Sequence, residues 1–187
     1  MIRECILCTT AADGEIHFAP IGLIAEGEHL VIAPFRPSRT LDNLRAVPFA
    51  VASYTDDPRP FAGLLTDRRD WPRFPARRVP GAVLEAALAH AELAVARVAE
   101  DRTRPRFFCR VLHEENHAPF RGFNRARAAV IEAAILATRL DLLPREKIAR
   151  EIAYLEIAVD KTAGAAEREA WEWLMRRIGP VLAGESP

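Results

Sequence analysis

The sequence predicts a mainly β fold with α, in which a strand meander gives way to a C-terminal helical segment. Short apolar runs rich in β-branched residues recur through the first half, separated by turn residues such as Asp13-Gly14. From Gly122 onward the apolar residues instead recur at three- and four-residue spacing, as on helices. Half of the 187 residues are apolar, enough for one domain with a real core plus a helical appendage.

The first strand is expected at residues 3–10, ending in Thr9 and Thr10. A hairpin returns along Ile16 to Ala25, where Pro20 cannot donate to a ladder and Gly22 leaves space beside the backbone, which predicts an edge or a bulge. A third strand, His29 to Ala33, delivers the chain to Pro34-Phe35-Arg36-Pro37-Ser38-Arg39-Thr40-Leu41-Asp42-Asn43-Leu44. Ser38 is placed to cap a helix starting at Arg39, which gathers free backbone N–H groups, two hydroxyls and two guanidinium groups at one helix N-terminus. A helix N-terminus favours negative charge, so Arg36 and Arg39 there call for an anion between them, such as a phosphate monoester. The residues alone leave a second reading open, a solvated basic turn with its arginines pointing away.

Residues 48–54 make a fourth strand. Between 56 and 81, Pro58, Pro60, Pro72, Pro75 and Pro80 and six arginines (Arg59, Arg68, Arg69, Arg73, Arg77 and Arg78) surround Trp71 and Phe74. So long a stretch with little periodicity predicts a functional flap. Basic residues among aromatics also fit single-stranded nucleic acid, but that reading ranks below a lid because no binding module accompanies it. Residues 82–99 are alanine-rich, which argues helix. The strand-forming run Arg106 to His113 needs a partner, so a long hairpin is expected. Asn124 is placed to cap a helix reaching Arg139 whose surface is apolar nearly all round, and which is therefore expected between its own barrel and a partner subunit. Pro144 starts another helix, with Ile148, Ile152, Leu155 and Val159 inward and a Glu146–Arg150 surface pair, and Glu167 to Ile178 form the last, burying Trp171, Leu174 and Ile178.

Lys plus Arg and Asp plus Glu each number 26, so no global charge points to nucleic acid or an anionic membrane. No leader-like stretch or membrane-length apolar run is evident, and three cysteines suit a reducing compartment, so a cytoplasmic protein is expected. Cys5 and Cys8 are three apart on a strand and face opposite sides, which predicts buried thiols, as for Cys109. His113-Glu114-Glu115-Asn116-His117 matches H-E-x-x-H, the zinc hydrolase pattern, but that chemistry needs a helix. On a strand His113 and His117 would stand roughly 13 Å apart. The expectation is a polar strand end and no metal. His17, His29 and His90 have no acid or nucleophile partner identifiable from the sequence.

Ala19-Pro20-Ile21-Gly22, the stretch Pro34 to Leu44, and Phe123 to Ala134 occur in an order that resembles the flavin reductase-like FMN-binding split barrel. Within it, they resemble an uncharacterised family of archaea and of bacteria with tetrahydromethanopterin-linked one-carbon metabolism. The resemblance implies a homodimer of split β-barrels, residues 1–118 including the excursion at 56–81, with FMN near the subunit interface and helices over 119–187 packed on the barrel. It favours strand for the alanine-rich run. It implies that Arg36, Ser38, Arg39 and Thr40 hold the FMN phosphate, with Asn43 a ribityl or phosphate contact. Pro20, Ile21 and Gly22 would lie along the isoalloxazine, with Thr9 and Thr10 near it. Asn124 and Arg125 would complete the pocket, or serve only as a helix cap and a surface charge.

FMN carries the hydride or electrons itself, so the lack of a catalytic triad does not argue against an enzyme. The expectation is an FMN-dependent oxidoreductase of flavin reductase-like type acting on a small-molecule redox substrate, the arginine-rich lid favouring an anionic one. No catalytic residue is assigned, and no nucleic acid or membrane partner is expected. The alternatives are a non-catalytic FMN-binding or electron-carrier module and, behind it, a zinc hydrolase built on His113, Glu114 and His117. Whether deazaflavin replaces FMN stays open.

Overall fold

A computed structural model describes residues 1–184. By internal contacts the chain divides into two units, one made of Met1–Thr55 and Trp71–Phe120, the other of residues 56–70 with the chain from Arg121 onward.

The first unit is a closed six-stranded antiparallel barrel. Its strands are β1 (Ile2–Thr10), β2 (Ile16–Glu26), β3 (His29–Ile32), β4 (Phe49–Tyr54), β7 (Ala89–Ala99) and β8 (Arg106–Asn116). They close in the order β1-β2-β3-β8-β7-β4, and β5 (Arg73–Pro75) and β6 (Ala82–Leu84) form a separate two-stranded sheet. Side chains alternate between the barrel core and its outer wall, as a two-residue period requires. Cys5 and Leu7 join Ala50, Ala52, Ala91, Leu93, Phe107 and Cys109 inside. Cys8 faces outward and accepts the backbone N–H of Ala82 at 3.3 Å, so the two cysteines do lie on opposite faces. The helix α1 (Arg39–Ala46) adds Leu41 and Leu44 to the same core. Each such buried side chain contributes about 1.5–3 kcal/mol.

The β2 strand runs unbroken through Pro20, paired with β1 along its whole length, and meets β3 only at Ile24–Glu26. The Pro20 region is thus an edge and not a bulge. The alanine-rich run is strand, but in two pieces, β6 and β7, separated by a turn over 85–88. The β6 segment crosses the outer wall, where Leu84 donates its N–H to Ser53 Oγ at 3.1 Å. Gly81 is required at that crossing: its φ is +141°, and a Cβ would stand 3.3 Å from Val51 Cγ2.

The segment 56–81, expected as a functional flap with little periodicity, contains regular elements. Residues 59–65 form the helix α2 (Arg59–Leu65), and residues 73–75 form β5. Pro60 sits in the first turn of α2, where a missing N–H costs nothing, and Asp57 caps the helix start by accepting the Arg59 N–H at 3.0 Å.

The second unit consists of α2, α3 (Arg125–Ala137), α4 (Arg145–Thr162) and α5 (Ala165–Ala183). Ile148, Ile152, Val159, Trp171, Leu174 and Ile178 are buried with Val130 and the α3 alanines in one core. The all-round apolar surface of α3 has a simple cause, because α2, α4 and α5 all pack on it. The expectation that barrel and partner subunit enclose α3 is therefore not needed to explain its composition. The last helix is longer than expected because it extends at both ends beyond the apolar stripe, and the surface pair on α4 is Lys147–Glu151. Arg127 bonds Glu167 Oε1 at 2.9 Å and also reaches Asp56, tying the start of α3 to α5 and to the strand-to-α2 turn. Among the described residues no helix is long and apolar enough to cross a membrane.

Candidate functional site

Ser38 caps α1 as its residue type predicts, its Oγ accepting the Leu41 N–H at 3.3 Å. The first intrahelical bond runs from Asp42 N to Ser38 O, so helix geometry leaves the Arg39 and Thr40 N–H groups without an intrahelical acceptor. Thr40 and Asn43 are buried on this helix, and Asn43 Nδ2 donates to Thr9 Oγ1 of β1 at 3.1 Å. That bond fixes the helix start against the end of the β1–β2 hairpin. The peptide bond between Arg36 and Pro37 is cis.

The two arginines are not left to repel the helix end. Arg39 pairs with Glu15 at 2.6 Å and Arg36 with Glu100 at 3.2 Å, while Arg45 also reaches Glu100. The anion demanded by electrostatics is supplied, in the protein alone, by carboxylates from two other turns. Sequence reasoning missed both partners, because Glu15 and Glu100 lie far from residues 36–39 along the chain. Each pair is substantially exposed, with side-chain exposures of 39% and 62% for Arg39 and Glu15 and 37% and 64% for Arg36 and Glu100. Such pairs contribute about 0–1 kcal/mol and exchange readily for a stronger anion. The Arg104 guanidinium donates to Ala33 O, and the Arg36 N–H to Thr103 O at 2.9 Å, which holds the β7–β8 turn beside the cradle.

Thr9 therefore joins Arg36, Ser38, Arg39, Thr40 and Asn43 in one place. Thr10, next along β1, points to the opposite face, where its buried Oγ1 has no hydrogen-bond partner among the described residues and a Cβ on Gly81 would lie 3.7 Å from it. Pro20, Ile21 and Gly22 pair with Ile6, Cys5 and Glu4, several rows down the hairpin from the Thr9 and His17 pair. Asn124 belongs to the helical unit and is fully engaged there. Its Oδ1 accepts the Ala126 and Arg127 N–H groups, and its Nδ2 donates to Thr162 O at 2.9 Å. Arg125 follows as the first residue of α3.

A second constellation lies on the outer wall of the barrel. Glu92 is fully buried and accepts the backbone N–H groups of Arg77 at 2.8 Å, Arg78 at 2.6 Å and Val79 at 3.0 Å. Burial opposes its ionisation, but those three donors and His90 outweigh it and hold the carboxyl below the usual range. His90 Nε2 lies 3.3 Å from Glu92 Oε1, and His90 Nδ1 lies 2.8 Å from His117 Nε2. His90, without an identifiable partner in the sequence, thus has two. Burial drives the His90 pKa down against the pull of Glu92, favouring neutral imidazole. Of the H-E-x-x-H residues, His113 and His117 both approach His90, with His113 on a strand as expected. Glu114, which a zinc hydrolase would need as base, is opposite Ala91 and so faces away from the histidines.

A family model described as protein of unknown function (DUF447), N-terminal domain, matches residues 3–118, and one described as protein of unknown function (DUF447) matches residues 124–176. No curated protein matches the chain. An FMN-bound protein of the DUF447 family from Methanosarcina mazei superposes with a TM-score of 0.81 at 22% identity, over 94% of this chain and 94% of its own. An NADH:FAD oxidoreductase from Streptomyces globisporus gives 0.50 at 15% identity, over 61% of this chain and 76% of its own. An FMN-binding protein from Thermus thermophilus with bound 1-cyclohex-2-enone gives 0.50 at 16% identity, over 60% of this chain and 69% of its own. The barrel described above is a split barrel and shares its fold with these proteins.

Proposed function

This chain belongs to the DUF447 family, and on that premise we propose that it is an FMN-binding flavoprotein that holds the FMN phosphate at the N-terminus of α1. The observation that carries the reading is the pair of N–H groups on Arg39 and Thr40, flanked by Ser38 Oγ and by arginines whose carboxylate partners are exposed and exchangeable. A phosphate there replaces Glu15 and Glu100 as the counter-ion and gains charge-assisted bonds from both guanidinium groups. The FMN bound by the Methanosarcina mazei relative supports the same reading.

FMN supplies hydride and electron chemistry when bound. The role of this chain is to bind and orient it: Asn43 and Thr9 fix the cradle, and the edge stretch Pro20-Ile21-Gly22 offers backbone groups on its unpaired side to the ring. Asn124 is committed to its helix cap. The finer reading is an oxidoreductase of flavin reductase-like type on a small-molecule redox substrate, working as a homodimer. The electron-carrier module remains the second reading, and a place in one-carbon metabolism rests only on the family resemblance. An absorbance spectrum of the purified chain, with the released chromophore identified, tests the proposal. FMN near one per chain, lost in the Arg36→Gln/Arg39→Gln variant, is the expected result. A colourless chain that refuses added FMN overturns it. Turnover with a reduced pyridine nucleotide and an acceptor then separates enzyme from carrier.

A further inference from the structure

We propose that His90, His113 and Glu115, with His117 beside them, form a binding site for one divalent transition-metal cation of zinc type on the outer wall of the barrel. The site arises from strand register. His90 lies opposite Glu115 and Glu92 opposite His113 in the β7–β8 ladder, and directly opposed residues share a face. Four polar side chains thus occupy adjacent points on one patch of wall. His117, just past the end of β8, is held there by its N–H bond to Leu88 O at 2.8 Å, and its ring lies parallel to that of His90, with 2° between planes and their ring nitrogens 2.8 Å apart.

One ligand atom from each of His90, His113 and Glu115 lies within 4.8 Å of the others. His113 Nε2 and Glu115 Oε2 are 3.4 Å apart. Two ligands on a tetrahedral zinc ion, with bonds of about 2.0–2.1 Å, stand about 3.3 Å apart, so this pair needs little adjustment. The other separations reach at most 4.8 Å, so the ion has to draw the side chains together on binding.

The surroundings fit a metal-bound histidine. A carboxylate only accepts hydrogen bonds, so Glu92 selects the His90 tautomer with its proton on Nε2. The lone pair is then on Nδ1, which meets His117 Nε2 at 2.8 Å. Histidine ligands of metals ordinarily donate their other N–H to a carboxylate in this way. Glu92 is itself locked by three backbone N–H groups, so the ring orientation is set before any ion arrives. Arg77 occupies the second carboxylate oxygen of Glu115 at 3.2 Å, which leaves Oε2 for the ion. Two imidazoles and one carboxylate are a donor set for zinc-like cations rather than for calcium or magnesium. The fourth position falls to water, or to His117 Nε2 once its proton moves to Nδ1 and the 2.8 Å contact with His90 widens. Glu114 is on the other face, so the site owes nothing to the H-E-x-x-H helix arrangement.

The test uses the full chain, stripped with a chelator and titrated with Zn²⁺ by calorimetry and with Co²⁺ by visible spectroscopy. The expected result is one ion per chain and the intense d–d absorption of four-coordinate cobalt. His113→Ala and Glu115→Gln should each weaken binding by about tenfold or more, as losing a ligand must exceed losing an outer partner. Circular dichroism checks that both variants fold, and if His113→Ala does not, Glu115→Gln decides. Absence of stoichiometric binding overturns the site, leaving the cluster a hydrogen-bond network. Equal binding by wild type and Glu115→Gln also overturns it, since the ion then lies elsewhere. Arg39→Gln, which tests the phosphate cradle, should leave metal binding unchanged, so the two proposals fail separately.

Discussion

The Glu92 carboxylate accepts the Arg78 backbone N–H at 2.6 Å, joining a strand of the barrel wall to the arginine-rich segment that crosses it. Arg77 and Val79 donate to the same carboxylate, so one buried side chain fixes three consecutive residues. That geometry makes this part of the expected lid a fixed strap. Glu92→Gln should lower stability by about 2–3 kcal/mol, because one acceptor oxygen is replaced by a donor facing a backbone donor. Urea unfolding measures it, and a loss below about 0.5 kcal/mol would mean the strap is held by other contacts.

Glu167 predicts the acid limb of stability. Burial opposes its ionisation, but the Arg127 bond and the N–H groups of Glu167 and Gly164 outweigh that and hold its pKa below the ordinary carboxyl value. A depressed folded-state pKa stabilises fully above the unfolded value, about 4.3, and the contribution is lost as pH falls through the folded value. The stability difference between wild type and Glu167→Gln should therefore be constant near neutrality and shrink below about pH 4. A difference independent of pH would assign the loss to packing alone.

The cradle arginines separate stability from binding. Arg39→Gln removes only an exposed pair with Glu15 and should change unfolding free energy by less than about 1 kcal/mol. FMN affinity should fall by about tenfold or more, the value of one charge-assisted bond to phosphate. Ser38→Ala should instead lower both, stability by about 1 kcal/mol through the lost cap. Equal FMN affinity in wild type and Arg39→Gln would move the phosphate away from α1.

The thiols should be silent in the native protein. Cys5, Cys8 and Cys109 are free and buried, and burial pushes the Cys8 thiol up to about 11, against the Ala82 N–H and Arg73, and Cys109 up to about 12. Thiolate is the reactive species, so a disulfide reagent at pH 8 should titrate all three only after denaturation. Rapid reaction of even one under native conditions would show an opening of the barrel wall.

Most of the barrel strands and the helices α1, α3, α4 and α5 were legible along the chain, while α2, β5 and the break between β6 and β7 were not. Alternation laid out the strands of the barrel, Ser38 and Asn124 announced their helices, and the spacing of Ile148, Ile152 and Val159 named the face that α4 buries. These signals are local, because a cap acts within one turn and a period repeats within one element. The tertiary structure decided what met what. Glu15 and Glu100 became the counter-ions of Arg39 and Arg36, residues 56–70 joined the helices, and strand register set His90 against Glu115 and Glu92 against His113. A cross-strand neighbour depends on the register between segments distant in the chain, and shifting that register by one residue turns every side chain to the other face. No local spacing records it, so the cradle's helix cap was legible in the sequence and the histidine cluster was not.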